Sequence, residues 1–478
     1  MPKILIERRL PGYDQMKSEW DFFAVSYNGG QSYLSPVNLF RYFREGDEEY
    51  KGRLARAFRE NHSKRVVDII NSYLFKQPAE RRVDGRLVDF IKNADGYGRP
   101  IDHFMKKVSL WSSILGRVYI VCDKRALPEG EATGTQKDNI DPRAMPYCYM
   151  VFPQDVLDIS FDENNKVRWV LVAERTRDDE DPINGSGDVV TNYRLWEVGR
   201  WRLFNDRSEM IEWGETGLNV VPIVVVDNEY RDIYSGQSLL NDIAYIDRAI
   251  FNNWSRLDVI VNDQTFSQLI FPIEAAPAEI LDDEATRKKF LTLATNRMLL
   301  YSNAAGVAPS YISPDASQAD FILRLIESQV KRLYGMWGMA GETATEVTRQ
   351  SGVSKAFDFD KLNKLLATKA DNLEQAEREI CLIFNKWLGV GDEAVDGINY
   401  PDEFDVKSLA DEIAQAQELA MLDISETFMK EIKKSIAVKA LHRPNEEILI
   451  KINKEIEEKA QEPIEKEPAF DFDEDREE

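Results

Sequence analysis

The chain has 478 residues, with 84 acidic against 61 basic side chains and a formal net charge of −23. Hydrophobic residues make up 43% and aromatic residues 10%, enough apolar area for more than one packed region and too much for global disorder. The acidity excludes a simple basic surface for nucleic acid. The longest apolar run, residues 218–226, is broken by Asn219 and Pro222 and is too short to span a bilayer.

The opening MPKILIERRL lacks the apolar core and small-residue cleavage site of a secretory signal. Cys122, Cys148 and Cys381 sit in apolar contexts with no CxxC pair, which points to buried thiols in a reducing compartment. Residues 35–76 read as helical. Pro36 follows a possible cap, Ser35, and Leu54, Phe58, Val66, Ile69, Ile70, Tyr73 and Leu74 recur at helical spacing until Pro78. A shorter helical pattern covers 84–107. In "SSILGRVYIVCD" the period changes: Val118, Ile120 and Cys122 alternate with Tyr119, Val121 and Asp123, as in a strand.

Residues 146–228 are mainly β. "VRWVLVAER" places Val167, Trp169, Leu171 and Ala173 on one face, and "NYRLWEVGRWRLFND" predicts a hairpin with Gly199 near its turn. Helical period returns over 238–268, where Ile243, Ile246, Ile250, Trp254, Leu257 and Ile260 form one stripe. Residues 269–315 are mixed and hold Pro272, Pro277, Pro309 and Pro314. Residues 316–335 are helical again, with Phe321, Ile322, Leu325, Ile326, Val330 and Leu333 making a broad apolar face.

Then comes "GMWGMAGETATEVTRQSG". Its Gly335, Gly338, Gly341 and Gly352, separated by small and polar residues, predict a low-stability segment between two rigid helices. Beyond it Leu362, Leu366, Leu373, Ile380 and Trp387 are spaced 4, 7, 7 and 7. A helix over 360–388 spans roughly 40 Å. Residues 405–459 give further helices, broken at "HRPNEE". Residues 455–478 contain twelve acids and three bases with Pro463 and Pro468 among them, leaving −14 on the rest of the chain, and predict a solvated acidic tail. The pattern is α+β in several parts.

Catalytic constellations are scarce. The chain has no GxxxxGK[ST], HExxH, GxSxG or strand-linked GxGxxG. His62, His103 and His442 are far apart and lack partners at metal-ligand spacing, so they read as packing or surface residues. "DFDEDREE" lacks the glycine and closing glutamate of a calcium loop, and Asp158 and Asp162 in "VLDISFDE" have no third carboxylate to complete a two-metal site. No catalytic residue, metal or cofactor is expected. Asp320, Arg324, Glu327 and Lys331 share one helix face at i,i+4 and i,i+3 spacing, readable as a solvated ion-pair ladder or as a charge-balanced wall.

Several stretches, in order, resemble the portal (head-to-tail connector) proteins of tailed bacteriophages. "SGVSKAFDFDKLNKLLATKADNLEQAEREI" resembles the SG-x-[AS]-x-A segment and long helix after that family's tunnel loop. "RENHSKRVVDIINSYLFKQP" resembles its wing helix. "SSILGRVYIVCD", "WEVGRWRLFNDRSE" and "VVPIVVVDNEYRD" are similar to the β part of its wing. The resemblance runs over roughly 40–455.

It implies a portal-like ring subunit with a mixed α/β wing (1–237), stem helices (238–268 and 316–335) and a small α/β clip (269–315). A tunnel loop (336–351), a long wing helix and connection (352–404), a helical crown (405–459) and an acidic disordered tail (460–478) complete the division. It implies a homododecamer, assembled in the host cytoplasm and sited at the portal vertex of the virion capsid. That ring passes double-stranded DNA during packaging and ejection, and contacts the terminase large subunit, a head-completion or tail adaptor, the major capsid protein and scaffold. No membrane partner and no enzymatic activity are implied.

On that reading Glu342, Thr343, Thr345, Glu346, Thr348 and Arg349 line the channel constriction, and Arg324, Lys331, Arg332, Arg349 and Lys355 contact phosphate. The other function classes are a phage-encoded DNA-processing enzyme of nuclease type and a minor capsid or scaffold interaction protein.

Overall fold

The computed structural model describes residues 5–404 except 44, 84, 126–144, 180, 266–267, 273–297, 302–309, 313–316, 340–351, 391–394 and 396. Beyond these it describes 425, most of 429–437, and 446–459. Residues 1–404 form one compact unit and 405–478 a second. In the second, Glu446–Lys459 is helical; the acidic tail expected at 460–478 lies outside the described residues.

The first unit begins with helices α1 (Tyr13–Asn28), α2 (Asp47–Arg56) and α3 (His62–Leu74), strand β1 (Glu80–Arg81), and helices α4 (Leu87–Lys92) and α5 (Ile101–Leu115). The single helix expected over 35–76 is therefore two, preceded by an irregular segment. The reason is local: the Asn61 side chain accepts a hydrogen bond from the Lys64 amide at 2.8 Å and caps a new helix start. Likewise 84–107 divides into α4 and α5, because Asn93 and Asp95 take up the amides of Gly98, Tyr97 and Arg99 in a turn between them.

Strands follow: β2 (Arg117–Lys124), β3 (Pro146–Val151), β4 (Val156–Phe161), β5 (Val167–Arg177), β6 (Val189–Glu197), β7 (Arg200–Phe204), β8 (Met210–Glu215) and β9 (Ile223–Asp227). They make two antiparallel sheets, of order β3-β2-β9 and β4-β5-β6-β7-β8. The expected hairpin is β6–β7, turning at Val198 and Gly199, with Gly199 at φ 80°. β5 departs from simple alternation. Val170, Leu171, Val172 and Ala173 are all buried, since mid-strand both sheet faces are covered, while Val167 and Trp169 are half-buried.

Next come α6 (Leu240–Thr265), strands β10 (Gln268–Pro272), β11 (Met298–Tyr301) and β12 (Ser310–Ile312), α7 (Ser317–Gly335), α8 (Gly352–Leu388) and β13 (Ile398–Asn399). β10 pairs parallel with β11 and antiparallel with β12, a small separate sheet between α6 and α7 in the chain. The 37-residue α8 is the spine of the unit. Its stripe of Leu362, Leu366, Ala370, Leu373, Ile380 and Phe384 is buried against the β3-β2-β9 sheet and against α3, α4 and α5. Phe384 meets Phe90 with ring centroids 4.5 Å apart, and the Trp387 indole donates to the Cys122 carbonyl at 2.9 Å.

Polar ties fix this spine. Arg81 donates to both oxygens of the fully buried Glu377, which also accepts from the Tyr400 hydroxyl at 2.6 Å. Lys369, 3% exposed, donates to Ser113 Oγ at 2.7 Å and Asn228 Oδ1 at 2.5 Å. At the turn beneath it Gly116 has φ 85°, and a Cβ there would stand 2.3 Å from the Gly236 carbonyl oxygen. Only glycine permits that approach. Cys122, Cys148 and Cys381 are buried free thiols, as their apolar contexts predict.

Candidate functional site

The helix pair α6/α7 is the best-described part of the expected channel apparatus. α6 is held on opposite sides. Toward α7, Asn253 donates to Gln329 Oε1 at 2.9 Å, and Ile326, Leu333 and Tyr334 of α7 are buried. On the other side, Arg248, Asn252 and Ser255 face the N-terminal segment. At about 100° per residue they lie roughly 100–160° around the helix from Asn253.

Asn252 donates to the Asn38 carbonyl at 2.8 Å and accepts from the Phe40 amide at 2.9 Å. Arg53, 1% exposed, reaches Ser255 Oγ at 3.1 Å, the Phe40 carbonyl at 2.7 Å and both Glu45 oxygens at 2.6 and 2.7 Å. Its guanidinium lies 4.0 Å from the Tyr42 ring centroid. Those hydrogen bonds hold the Glu45 carboxyl below its usual range. Higher up, Asp247 is fully buried and accepts from Arg59 and from the amide and hydroxyl of Ser63, at 2.9 and 2.6 Å for the latter two.

His62 packs edge-on against Tyr334, its Nδ1 3.1 Å from the hydroxyl. Burial lowers its pKa, which favours the neutral imidazole of a packing residue.

The exposed part of α7 is divided. Taking the buried Ile326 as origin, Glu327, Asp320, Lys331 and Arg324 fall roughly 100–160° round in one sense, and Leu325, Arg332 and Phe321 roughly 100–140° in the other. All seven are exposed. The first stripe carries two acids and two bases, and among the described residues no ion pair joins any two of them. Of the broad apolar face expected here, Ile322, Ile326, Val330 and Leu333 pack inward, while Phe321 is 68% and Leu325 38% exposed. The apolar arc is wider than one helix neighbour can cover.

Of the proposed phosphate contacts, Arg324 and Lys331 thus share a face and Arg332 stands on the opposite flank. Lys355 is in the first turn of α8, where only the backbone is described. Glu342, Thr343, Thr345, Glu346, Thr348 and Arg349 lie outside the described residues. The clamp of Arg53, Asn252 and Asp247 on α6 escaped sequence reading; its one local signal is a run of polar residues on a helix that otherwise reads as core.

Asp158, considered above for metal chemistry, accepts from Arg8 Nε at 2.9 Å. A concavity of about 680 Å³ between β9, the β4–β5 turn and α8 is lined by Lys166, Arg168, Ile223, Ile383 and Lys386. Its inner carboxylate, Asp227, is held by Arg117 at 2.6 and 2.8 Å. Among the described residues no group of three His, Cys, Asp or Glu side chains is placed to hold a metal ion, and no helix is long and apolar enough to cross a membrane.

No protein-family model and no curated protein matches the chain. Among solved structures, it aligns with a chain of the "Neck of native GTA particle computed with C12 symmetry" at 12% identity and TM-score 0.37, covering 76% of this chain and 85% of that one. It aligns with a chain of the "Neck of empty GTA particle computed with C6 symmetry" at 12% identity and TM-score 0.36, covering 75% and 84%. At such scores the likeness carries no argument about this chain.

Proposed function

We propose that the chain is a portal-type ring subunit, performing no covalent chemistry, whose copies enclose a channel for double-stranded DNA. The observation that carries this reading is the exposed stripe of Asp320, Arg324, Glu327 and Lys331 on α7. It lies on a rod anchored to α6, which is itself clamped by Arg53, Asn252 and Asp247. Support also comes from the order of elements: a long helix, a small three-stranded sheet, a second helix and a 37-residue helix. That is the order in which the sequence resembles portal proteins.

The charge pattern suits transit. Cationic contacts to phosphate gain affinity by releasing counterions and so hold DNA in place. A wall with acids interleaved among its bases guides the duplex without gripping it. In this proposal Arg324 and Lys331 are the phosphate-facing cations, with Glu342 to Arg349 at the constriction, and the wing, stem, clip, tunnel-loop and crown division given above carries over. Twelve copies, a terminase motor, a tail adaptor, the capsid and a vertex location in the virion belong to the same proposal.

The test replaces both acids of the stripe. Asp320→Lys with Glu327→Lys converts a mixed wall into a basic one, and anisotropy of a labelled duplex with the assembled protein should then tighten tenfold or more at low salt. The gain should vanish steeply as salt rises. Unchanged affinity at every salt concentration would remove α7 from the DNA path.

A further inference from the structure

α7 carries an exposed apolar flank, and a second unpartnered apolar surface stands on the far side of α6. It is the irregular segment 37–43. Leu39 points inward to a small cluster with Tyr33 and Phe251, while Val37 is 72%, Phe40 52% and Phe43 101% exposed. This knob is not loose chain: Arg53 and Asn252 bind its backbone, as described above, and Arg248 lies 5.2 Å from the Phe40 ring centroid. The backbone of this segment is tied at Asn38 and Phe40, and three exposed apolar side chains grouped on a tied segment mark a surface suited to being covered.

The two patches are complementary in charge as well as apolarity. Beside Phe43 in the chain the first turn of α2 presents exposed Asp47, Glu48 and Glu49. Asp47 pairs with Arg41 at 2.7 Å and Glu48 with Lys51 at 2.9 Å, so Glu49 is the carboxylate of this turn that no ion pair occupies among the described residues. Among Phe321 and Leu325 on α7 stands Arg332, exposed and outside the mixed-charge stripe. Among the described residues no hydrogen bond, ion pair or ring contact joins the two patches within one molecule. Two different surfaces that mate between copies make a head-to-tail contact, which closes into a ring when the rotation allows.

We infer that Phe321, Leu325 and Arg332 of one copy seat on Val37, Phe40 and Phe43 of the next copy, with Arg332 against the acidic turn of α2. The inference rests on the ring reading and deepens it. The contact sets the rotation of α7: with its apolar flank turned to a neighbour, the stripe about a third of a turn away is aimed elsewhere, toward the shared axis. Arg332 is then an interface residue and not a phosphate contact.

The test uses the full chain with Phe43→Cys and Phe321→Cys together, treated with a short bis-maleimide. The expected result is a ladder of dimers, trimers and higher multimers on a denaturing gel, while either single variant gives none. A product of dimers alone, or cross-linking by Phe43→Cys alone, overturns the proposal, because it marks a symmetric contact. So does the lack of any cross-link in particles that images show to be rings, and in that case the ring reading survives. Because the cysteines could disturb packing, Arg332→Glu is measured separately. It should raise the concentration for half-assembly about tenfold and be rescued by Glu49→Arg with circular dichroism unchanged; assembly unaffected by Arg332→Glu overturns the inference.

Discussion

Replacing Lys369 by Met probes how the long helix is held. Complete burial pulls the Lys369 amine down from 10.5 to about 7, with Ser113 and Asn228 as neutral hydrogen-bond partners and no carboxylate on it. A lysine whose folded pKa is depressed binds fewer protons in the folded state than in the unfolded one. Its penalty is full below pH 7 and shrinks as pH rises toward 10.5, so stability increases over that window.

With those two values the penalty is about 4 kcal/mol at pH 7 and about 2 kcal/mol at pH 9, taking 1.36 kcal/mol per unit. Met removes the penalty and also two hydrogen bonds: Asn228 Oδ1 is left stranded, at a cost of roughly 1–3 kcal/mol, while Ser113 Oγ keeps its bond to the Ser109 carbonyl. The absolute difference at one pH is therefore a near-balance, but its pH dependence is not. Urea unfolding followed by tryptophan fluorescence, at fixed protein concentration, should show wild type gaining about 2 kcal/mol on the Met variant between pH 7 and 9. Parallel curves would refute the assignment of a depressed, buried amine.

Arg53→Ala should destabilise by about 3–5 kcal/mol, because Glu45 loses its buried partner. Wild type should also weaken on acidification below pH 4.5, as protonation abolishes the bonds that hold the Glu45 carboxyl down; the variant lacks that share, which a comparison of unfolding midpoints at pH 7 and pH 4 reads out. Gly116→Ala meets both the φ of 85° and the Gly236 carbonyl, so a cost of about 3 kcal/mol is expected from overpacking and left-handed strain, measured as a lowered Tm. An unchanged Tm would mean that the 116–236 contact can open freely.

Period alone located α6, α7, α8 and the β6–β7 hairpin, because each rests on residues near one another in sequence. It failed where a short polar side chain wins locally. Phe58 sits in phase with the helix on either side, yet Asn61 restarts the helix and leaves Phe58 half-exposed against Trp254. It failed again where an apolar arc exceeds what one neighbour covers, so that Phe321 and Leu325, counted as core by spacing, stand in solvent. The clamps on the long helices join residues far apart in the chain, Arg59 with Asp247 and Lys369 with Ser113, and no local pattern announces them. Of the candidate site, the mixed-charge face of α7 was readable from i,i+4 spacing, and the same spacing sets Arg332 about 100° off it; which arc of α7 faces α6 was not.

Whether copies of this chain close around a shared axis is decided most directly by averaged end-on images of the purified full-length protein, with its mass in solution measured alongside. The account predicts a closed ring with a central opening and a mass that is a whole multiple of the single chain, near twelve. A monomer at micromolar concentration across all salt conditions would contradict it.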